Sequence, residues 1–326
     1  MRLNLAAVLL SAVSAMSAFA QSAPPSAPMS APTSARTILI HGHRGARAAR
    51  PENTIPAFVY GIEHGDDVLE LDLAVTRDNH LVVSHSPYLT QPANDNPAWA
   101  ASVNERQCLG PALPPGTLIH SLTLAQLQQY DCGSHTLANF PHQVAVPGTR
   151  IPTFEEVLDL APRGHFDFNV ETKIFPSHPE ITPSPDEFVR MIDDIVRRRG
   201  LQSRIILQSF DFRTLHAMRK IDPQIRLSAL FGQAKYDPIM GLSDPDKSFA
   251  HIAKISGADI LSPDVSLITP EEVAAAHKLG LQVAPYTANT PKEWRRLADA
   301  HVDAIITDDP AALLSWLRSQ TPPLHP

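Results

Sequence analysis

The chain has 326 residues and a net charge of −7, enough length for one large domain or two small ones. That acidic balance, with a pI of about 6.1, argues against nucleic acid as a partner, because a phosphate-gripping surface needs an excess of Lys and Arg. Beyond the N-terminus no segment is long and apolar enough to cross a bilayer, which excludes stable membrane insertion of the folded part.

Residues 1–20 have the layout of a secretory signal peptide. Arg2 is a positive n-region, Leu3 to Phe19 form a short apolar run broken by serines, and Ala18-Phe19-Ala20 is a small-residue cleavage site. Residues 21–36 are Pro, Ser and Ala with almost nothing else and read as a disordered spacer. A periplasmic or secreted location is expected, with a folded domain over 37–320 and a tail over 321–326.

From Thr37 onward, short apolar runs alternate with helical patterns. Strands are predicted at Ile38–His41, Val68–Leu73, Leu81–His85, Phe166–Glu171, Ile205–Gln208, Ile225–Leu230, Ile260–Ser262, Leu281–Tyr286 and Ala304–Thr307. Most are apolar on both faces, as buried parallel strands covered by helices are. Ser184-Pro185-Asp186-Glu187, Thr269-Pro270-Glu271-Glu272 and Thr290-Pro291-Lys292-Glu293 read as capping boxes with proline at the first helical position, and Thr153-Phe154-Glu155-Glu156 as a fourth without it. Too few residues separate Asp72 from Leu81 for a helical crossover, so that pair should be an antiparallel hairpin turning at Asp78-Asn79. The remaining strands suit a closed eight-stranded TIM (β/α)8 barrel better than a doubly wound open sheet.

Residues 87–147 break the rhythm, being rich in Pro, Asn, Gln and Ala. They read as an insertion over the barrel mouth, with one short helix near Leu124–Tyr130. The stretch holds both cysteines, Cys108 and Cys132, and an exported protein is expected to pair them.

Chemistry gathers at strand ends. Glu70 and Asp72 are two apart, so on a strand they share a face, while Leu69, Leu71 and Leu73 face the helices. Two carboxylates in a low-dielectric place are tolerated if they share a proton or bind a cation. Glu171 repeats the pattern on another strand and offers a third carboxylate, and hard oxygen donors suit one divalent metal, Ca²⁺ or Mg²⁺. Arg44 and Lys173 are the cations expected to balance these charges and to hold a phosphate. His43 and His85 are candidates for general acid and base, and Gly45 lets the chain turn beside a ligand. His41 shares a strand face with His43 and is expected to support it.

His43-Arg44-Gly45, Pro51-Glu52-Asn53-Thr54, Glu70-Leu71-Asp72 and His85, in that order, resemble the N-terminal signature of the glycerophosphodiester phosphodiesterase family. Glu171-Thr172-Lys173, Gln208-Ser209-Phe210 and the closing run Val302 to Asp308 are similar to its later motifs, and the likeness spans about Ile38 to Leu317. The resemblance implies a βα barrel that hydrolyses small-molecule glycerophosphodiesters to sn-glycerol 3-phosphate and an alcohol. It implies a divalent metal on Glu70, Asp72 and Glu171, acid–base roles for His43 and His85, and phosphate contact by Arg44. Two positions depart from the family pattern: Ser86 stands where aspartate usually follows the second histidine, and Pro285-Tyr286-Thr287 where a tryptophan is frequent. Tyr286 can still wall the substrate. Rival readings are a lysophospholipase D-like phosphodiesterase, hinted at by Pro97-Ala98-Trp99-Ala100, and a non-catalytic periplasmic phosphodiester-binding protein. A Schiff-base role for Lys173 is disfavoured, because nearby carboxylates keep it protonated.

Overall fold

The computed structural model describes residues 37–90, 108–176, 178–232 and 246–325. The signal-like segment, the spacer and Pro97 to Ala100 lie outside the described residues. Strands form where the sequence is apolar on both faces: β1 (Leu39–Gly42), β2 (Val68–Val75), β3 (Leu81–Val83), β4 (Asp167–Thr172), β5 (Ile205–Ser209), β6 (Arg226–Phe231), β7 (Ile260–Pro263), β8 (Gln282–Val283) and β9 (Ala304–Thr307). Eight run parallel in the order β8-β7-β6-β5-β4-β2-β1-β9. Backbone bonds from Asp303 N to Val283 O (2.9 Å) and from Ile306 N to Pro285 O (3.0 Å) draw β9 against β8, so the sheet curls into a nearly closed barrel. β3 stays outside the ring and pairs antiparallel with β2, as the short connection requires. The turn carries Asn79 at φ 60°, and Asp78 accepts from the hydroxyl of Thr76 (2.7 Å).

The helices are α1 (Ile55–Glu63), α2 (Leu124–Leu127), α3 (Phe154–Leu158), α4 (Pro185–Arg199), α5 (Phe212–Ile221), α6 (Phe249–Ser256), α7 (Pro270–Lys278), α8 (Pro291–Asp299) and α9 (Pro310–Arg318). Capping boxes close at Thr153, Ser184 and Thr290. At Thr269 only half of the expected box forms. Its hydroxyl caps Glu272 N (3.2 Å), but the Glu272 carboxylate instead accepts from Phe249 N (2.8 Å) and so ties α7 to the start of α6. The apolar stripe of α4, with Phe188, Val189, Ile192 and Val196 at most 1 % exposed, packs in the main core, and Gly200 ends the helix at φ 63°.

The leucines at 69, 71 and 73 belong to the core between barrel and helices. A second apolar layer, with Val68, Ile206, Ile260, Ala284 and Ala304, is formed by the alternate strand positions. In the insertion, Cys108 and Cys132 form a disulfide, and Cys132 packs with Ala74, Val82, Leu127 and Ile151. The helix expected over Leu124–Tyr130 stops at Leu127, and Tyr130 turns to donate its hydroxyl to Pro111 O (2.8 Å).

Asp66 does not fit this packing. It is 7 % exposed, neither carboxylate oxygen has a hydrogen-bond partner among the described residues, and burial followed by repulsion from Asp67 raises its pKa well above 3.8. A raised folded-state pKa means the wild type has its full stability at acid pH and loses it as pH climbs toward and through the raised value. Asp66→Asn should therefore melt together with the wild type near pH 4 and above it at pH 8. A gain of about 3 °C per kcal/mol is expected for a domain of this size, and equal melting temperatures at both pH values would contradict the assignment.

Candidate active site

The site is built from strand ends and the loops that follow them. After β1 the chain turns through Arg44 at φ 53° and Gly45 at φ 82°. A Cβ on Gly45 would lie 2.8 Å from the Ala57 carbonyl carbon, so the close approach of this turn to α1 requires glycine. The turn aims Arg44 N at Glu70 Oε2 (2.8 Å) and places His43 at the mouth.

The β2–β4 register sets Asp72 opposite Glu171 and Glu70 opposite Asn169. One oxygen from each of Glu70, Asp72 and Glu171 lies within 4.8 Å of the others, and all three residues are buried. Lys173 Nζ sits between Glu171 Oε1 (2.6 Å) and Asp72 Oδ1 (3.0 Å). Burial raises Glu171 to about 7 against the pull of Lys173, and Asp72 pushes it the same way as burial. Burial, then Asp72 and Glu171, raise Glu70 well above the ordinary carboxylate range. Burial also acts upward on Asp72, but Lys173, His85 and Arg44 outweigh it and hold this carboxyl well below 3.8. The site thus contains more carboxylate than its own cations fully neutralise. This donor set fits one hard divalent cation.

Arg44, expected to grip phosphate, turns its guanidinium onto Glu52 Oε1 (2.9 Å), with Nε 3.5 Å from Asp72 Oδ2. It still lines the cavity, as does Lys173. His43 Nδ1 meets Asp308 Oδ1 at 2.5 Å, and Asp308 Oδ2 accepts from Asn289 Nδ2 (2.7 Å). Burial tends to raise Asp308, but the charge and hydrogen bond of His43 win and lower it, so the carboxylate accepts and Nδ1 carries the proton. The pKa of His43 is lowered by burial, and Asp308 only partly offsets this. His85 is lowered well below 6.5, by burial first and then by Arg44 and Lys173. His41 does not reach the mouth. It is buried, its pKa falls to about 3 through burial and Arg226, and its Nδ1 lies 3.4 Å from Asn169 Nδ2.

The mouth holds one cavity of about 310 Å³. His43, Arg44, Glu70, His85, Glu171 and Lys173 face Phe210, Leu230, Tyr286 and Ile306 across it, making one wall charged and the other apolar. Tyr286 meets Phe210 edge-on, with centroids 5.8 Å apart. Sequence reasoning missed Asp308, Asn289 and Arg47. Asp308 lies 265 residues from His43, and no spacing rule links them. Arg47 sits between the first two motifs, two residues past Gly45, lines the cavity and pairs with Glu52 (2.7 Å).

A model of the Glycerophosphoryl diester phosphodiesterase family matches residues 43–312. A glycerophosphodiester phosphodiesterase from Caldanaerobacter subterraneus subsp. tengcongensis is 29% identical over 280 residues, 86% of this chain and 98% of the relative. A crystal structure from Silicibacter pomeroyi, described as a candidate glycerophosphoryl diester phosphodiesterase, superposes with a TM-score of 0.74 at 27% identity, covering 86% of this chain and 93% of that one. An Oleispira antarctica phosphodiesterase, solved with its product sn-glycerol-3-phosphate, shares the fold with a TM-score of 0.66 at 19% identity, over 87% of this chain and 98% of the other.

Cation binding by the acidic cluster should be pH-dependent, because a hard cation binds the ionised carboxylates. With Glu171 titrating at about 7, calorimetric Ca²⁺ affinity should rise about tenfold between pH 6 and pH 8. Glu171→Gln should weaken binding and flatten that slope. An unchanged affinity in the variant would remove Glu171 from the site.

Proposed function

The chain belongs to the glycerophosphoryl diester phosphodiesterase family, and on that premise we propose that it hydrolyses glycerophosphodiesters to sn-glycerol 3-phosphate and an alcohol by histidine acid–base catalysis. The observation that carries this reading is one cavity lined by both imidazoles, Glu70 and Glu171, with His43 already braced by Asp308. Glu70, Asp72 and Glu171 would hold one divalent cation, Ca²⁺ or Mg²⁺, which supplies charge neutralisation to the phosphate when bound.

The chain's own groups divide the remaining work. Asp308 fixes the His43 tautomer, so Nε2 presents its lone pair and the carboxylate stabilises the imidazolium formed when His43 takes the proton of the nucleophile. His85, in the same cavity, gives a proton to the leaving alkoxide. A bound phosphodiester anion offsets the Arg44 and Lys173 charges that depress His85, which favours its protonated form. Lys173 and Arg44 orient the phosphate while continuing to restrain the carboxylates. Phe210 and Tyr286 offer an apolar surface to the glycerol or alcohol carbons. Export to the periplasm or beyond is part of the proposal, supported by the signal-like residues 1–20 and by a disulfide suited to an oxidising compartment.

Release of glycerol 3-phosphate from glycerophosphocholine should require added Ca²⁺ or Mg²⁺ and stop with EDTA. His43→Ala and His85→Ala should each lower turnover at least about a hundredfold with cation binding largely kept. Asp308→Asn should lower it about a hundredfold through the wrong His43 tautomer. Turnover by the metal-stripped wild type, or near-normal rates in either histidine variant, would sink the reading.

A further inference from the structure

The described part of the insertion reaches back to the active-site loop. Cys132 N donates to Thr149 O (2.7 Å) and Val146 N to Gly133 O (2.8 Å), which closes residues 133–149 into a strap at its base. Asp131 locks that base, accepting from Gly133 N (2.9 Å), Ser134 Oγ (2.6 Å) and Gly148 N (2.8 Å), next to the Cys108–Cys132 bridge. The tip of the strap lies on the loop between β1 and α1. Val144 N donates to Ala49 O (2.9 Å). Gln143, 7 % exposed, donates through Nε2 to the carbonyls of Arg47 (2.6 Å) and Arg50 (3.1 Å), while its Oε1 accepts from Leu137 N (2.7 Å).

The side chain of Arg47 is held in the same way. The Phe140 ring lies 5.1 Å from its guanidinium carbon, and Nη2 forms an ion pair with Glu52 Oε2 (2.7 Å). Lys173 pairs with Asp72 and Glu171 of the acidic cluster, Arg44 divides its guanidinium between Glu52 (2.9 Å) and Asp72 (3.5 Å), and Arg47 pairs with Glu52, outside the cluster. Arg47 thus adds to the cavity lining a guanidinium that is ion-paired with Glu52, a carboxylate outside the Glu70, Asp72 and Glu171 cluster.

We propose that Arg47 contacts the substrate phosphate, and that Gln143 and Phe140 are positioning residues that hold it there from the insertion. The proposal rests on the function argued above. A guanidinium clamped between a carboxylate and a ring, on a backbone fixed by a buried carboxamide, loses little freedom when an anion binds. Its loss should fall on ligand affinity and KM more than on kcat.

The test uses the full chain and calorimetric binding of sn-glycerol 3-phosphate, which needs no turnover. Gln143→Glu is isosteric, keeps an acceptor for Leu137 N and removes the donor that faces two carbonyls. It should weaken binding about tenfold. Arg47→Ala should weaken it at least as much, and the double variant should bind like Arg47→Ala alone, since Gln143 acts through Arg47. Wild-type affinity in Gln143→Glu, or losses that multiply in the double variant, would overturn the proposal. If thermal melts show Gln143→Glu unfolded, Phe140→Leu takes its place. A loss of about threefold is expected there, and an unchanged Kd refutes the positioning role. Wild-type protein that binds the ligand but releases no product would refute the function and leave the positioning role standing on the variants' affinities.

Discussion

Repulsion among three buried carboxylates is the constraint around which the rest of this site is arranged. Glu70, Asp72 and Glu171 come together because β2 and β4 pair in a single register, Asp72 opposite Glu171. A slip of one residue would send the acids into the helical layer and the leucines into the mouth. The core makes such a slip prohibitive, since Leu69, Leu71 and Leu73 are fully buried on the opposite face. Packing energy on one side of the strand thus keeps electrostatic strain in place on the other. Lys173, Arg44 and backbone donors such as Arg44 N relieve part of that strain. The remainder favours a cation.

The barrel interior below the mouth serves the same end. Barrels of this kind commonly fill their interior layers with branched apolar residues. Here the interior positions of neighbouring strands carry Asn169, Gln208, Ser228 and Ser262, all at most 1 % exposed. Asn169 Nδ2 donates to Gln208 Oε1 (2.9 Å), and Gln208 Nε2 donates to Glu70 Oε1 (2.7 Å). Ser228 and Ser262 bond each other at 2.8 Å. Buried amides are costly unless bonded; the amide donors of this chain are satisfied and fix the Glu70 carboxylate, while Asn169 Oδ1 accepts no hydrogen bond among the described residues. His41 joins it at the far end, close to Asn169, as a neutral imidazole. It shares a strand face with His43, two residues on, and was expected to support it, but its ring lies deeper in the barrel beside Asn169.

What the sequence revealed follows from how local its signals are. The strands were legible because runs apolar on both faces have few other destinations, and the β2–β3 hairpin because seven or so residues cannot hold a crossover helix. Both cavity histidines and the acidic residues were legible because each sits at the end of such a run. The partner of His43 was not, since Asp308 closes the last strand and meets His43 only when β9 lies beside β1. The half-formed cap at Thr269 failed for a similar reason, because Glu272 found a tertiary donor in Phe249 N. The insertion was legible in outline, from its composition, its cysteines and one short helix. The contacts of residues 133–149 were not, because they are backbone and amide bonds between irregular segments, which leave no periodicity.

Ser86 shows how a local departure can be absorbed. Its hydroxyl accepts from Tyr88 N (3.1 Å) and its carbonyl from Ser84 Oγ (3.0 Å), so the residue shapes the turn that carries His85. The opposing charge felt by His85 comes from Asp72, which pulls its pKa up against burial, Arg44 and Lys173. Asp72 is also a member of the acidic cluster. With serine at position 86, the basicity of His85 depends on whatever else Asp72 is holding. A cation on Asp72 would weaken that pull, and an anion near Arg44 and Lys173 would offset their depression of it. The pKa of His85 thus reflects the charges of the whole cavity, Asp72 raising it and Arg44, Lys173 and His43 lowering it, while His43 is braced by Asp308.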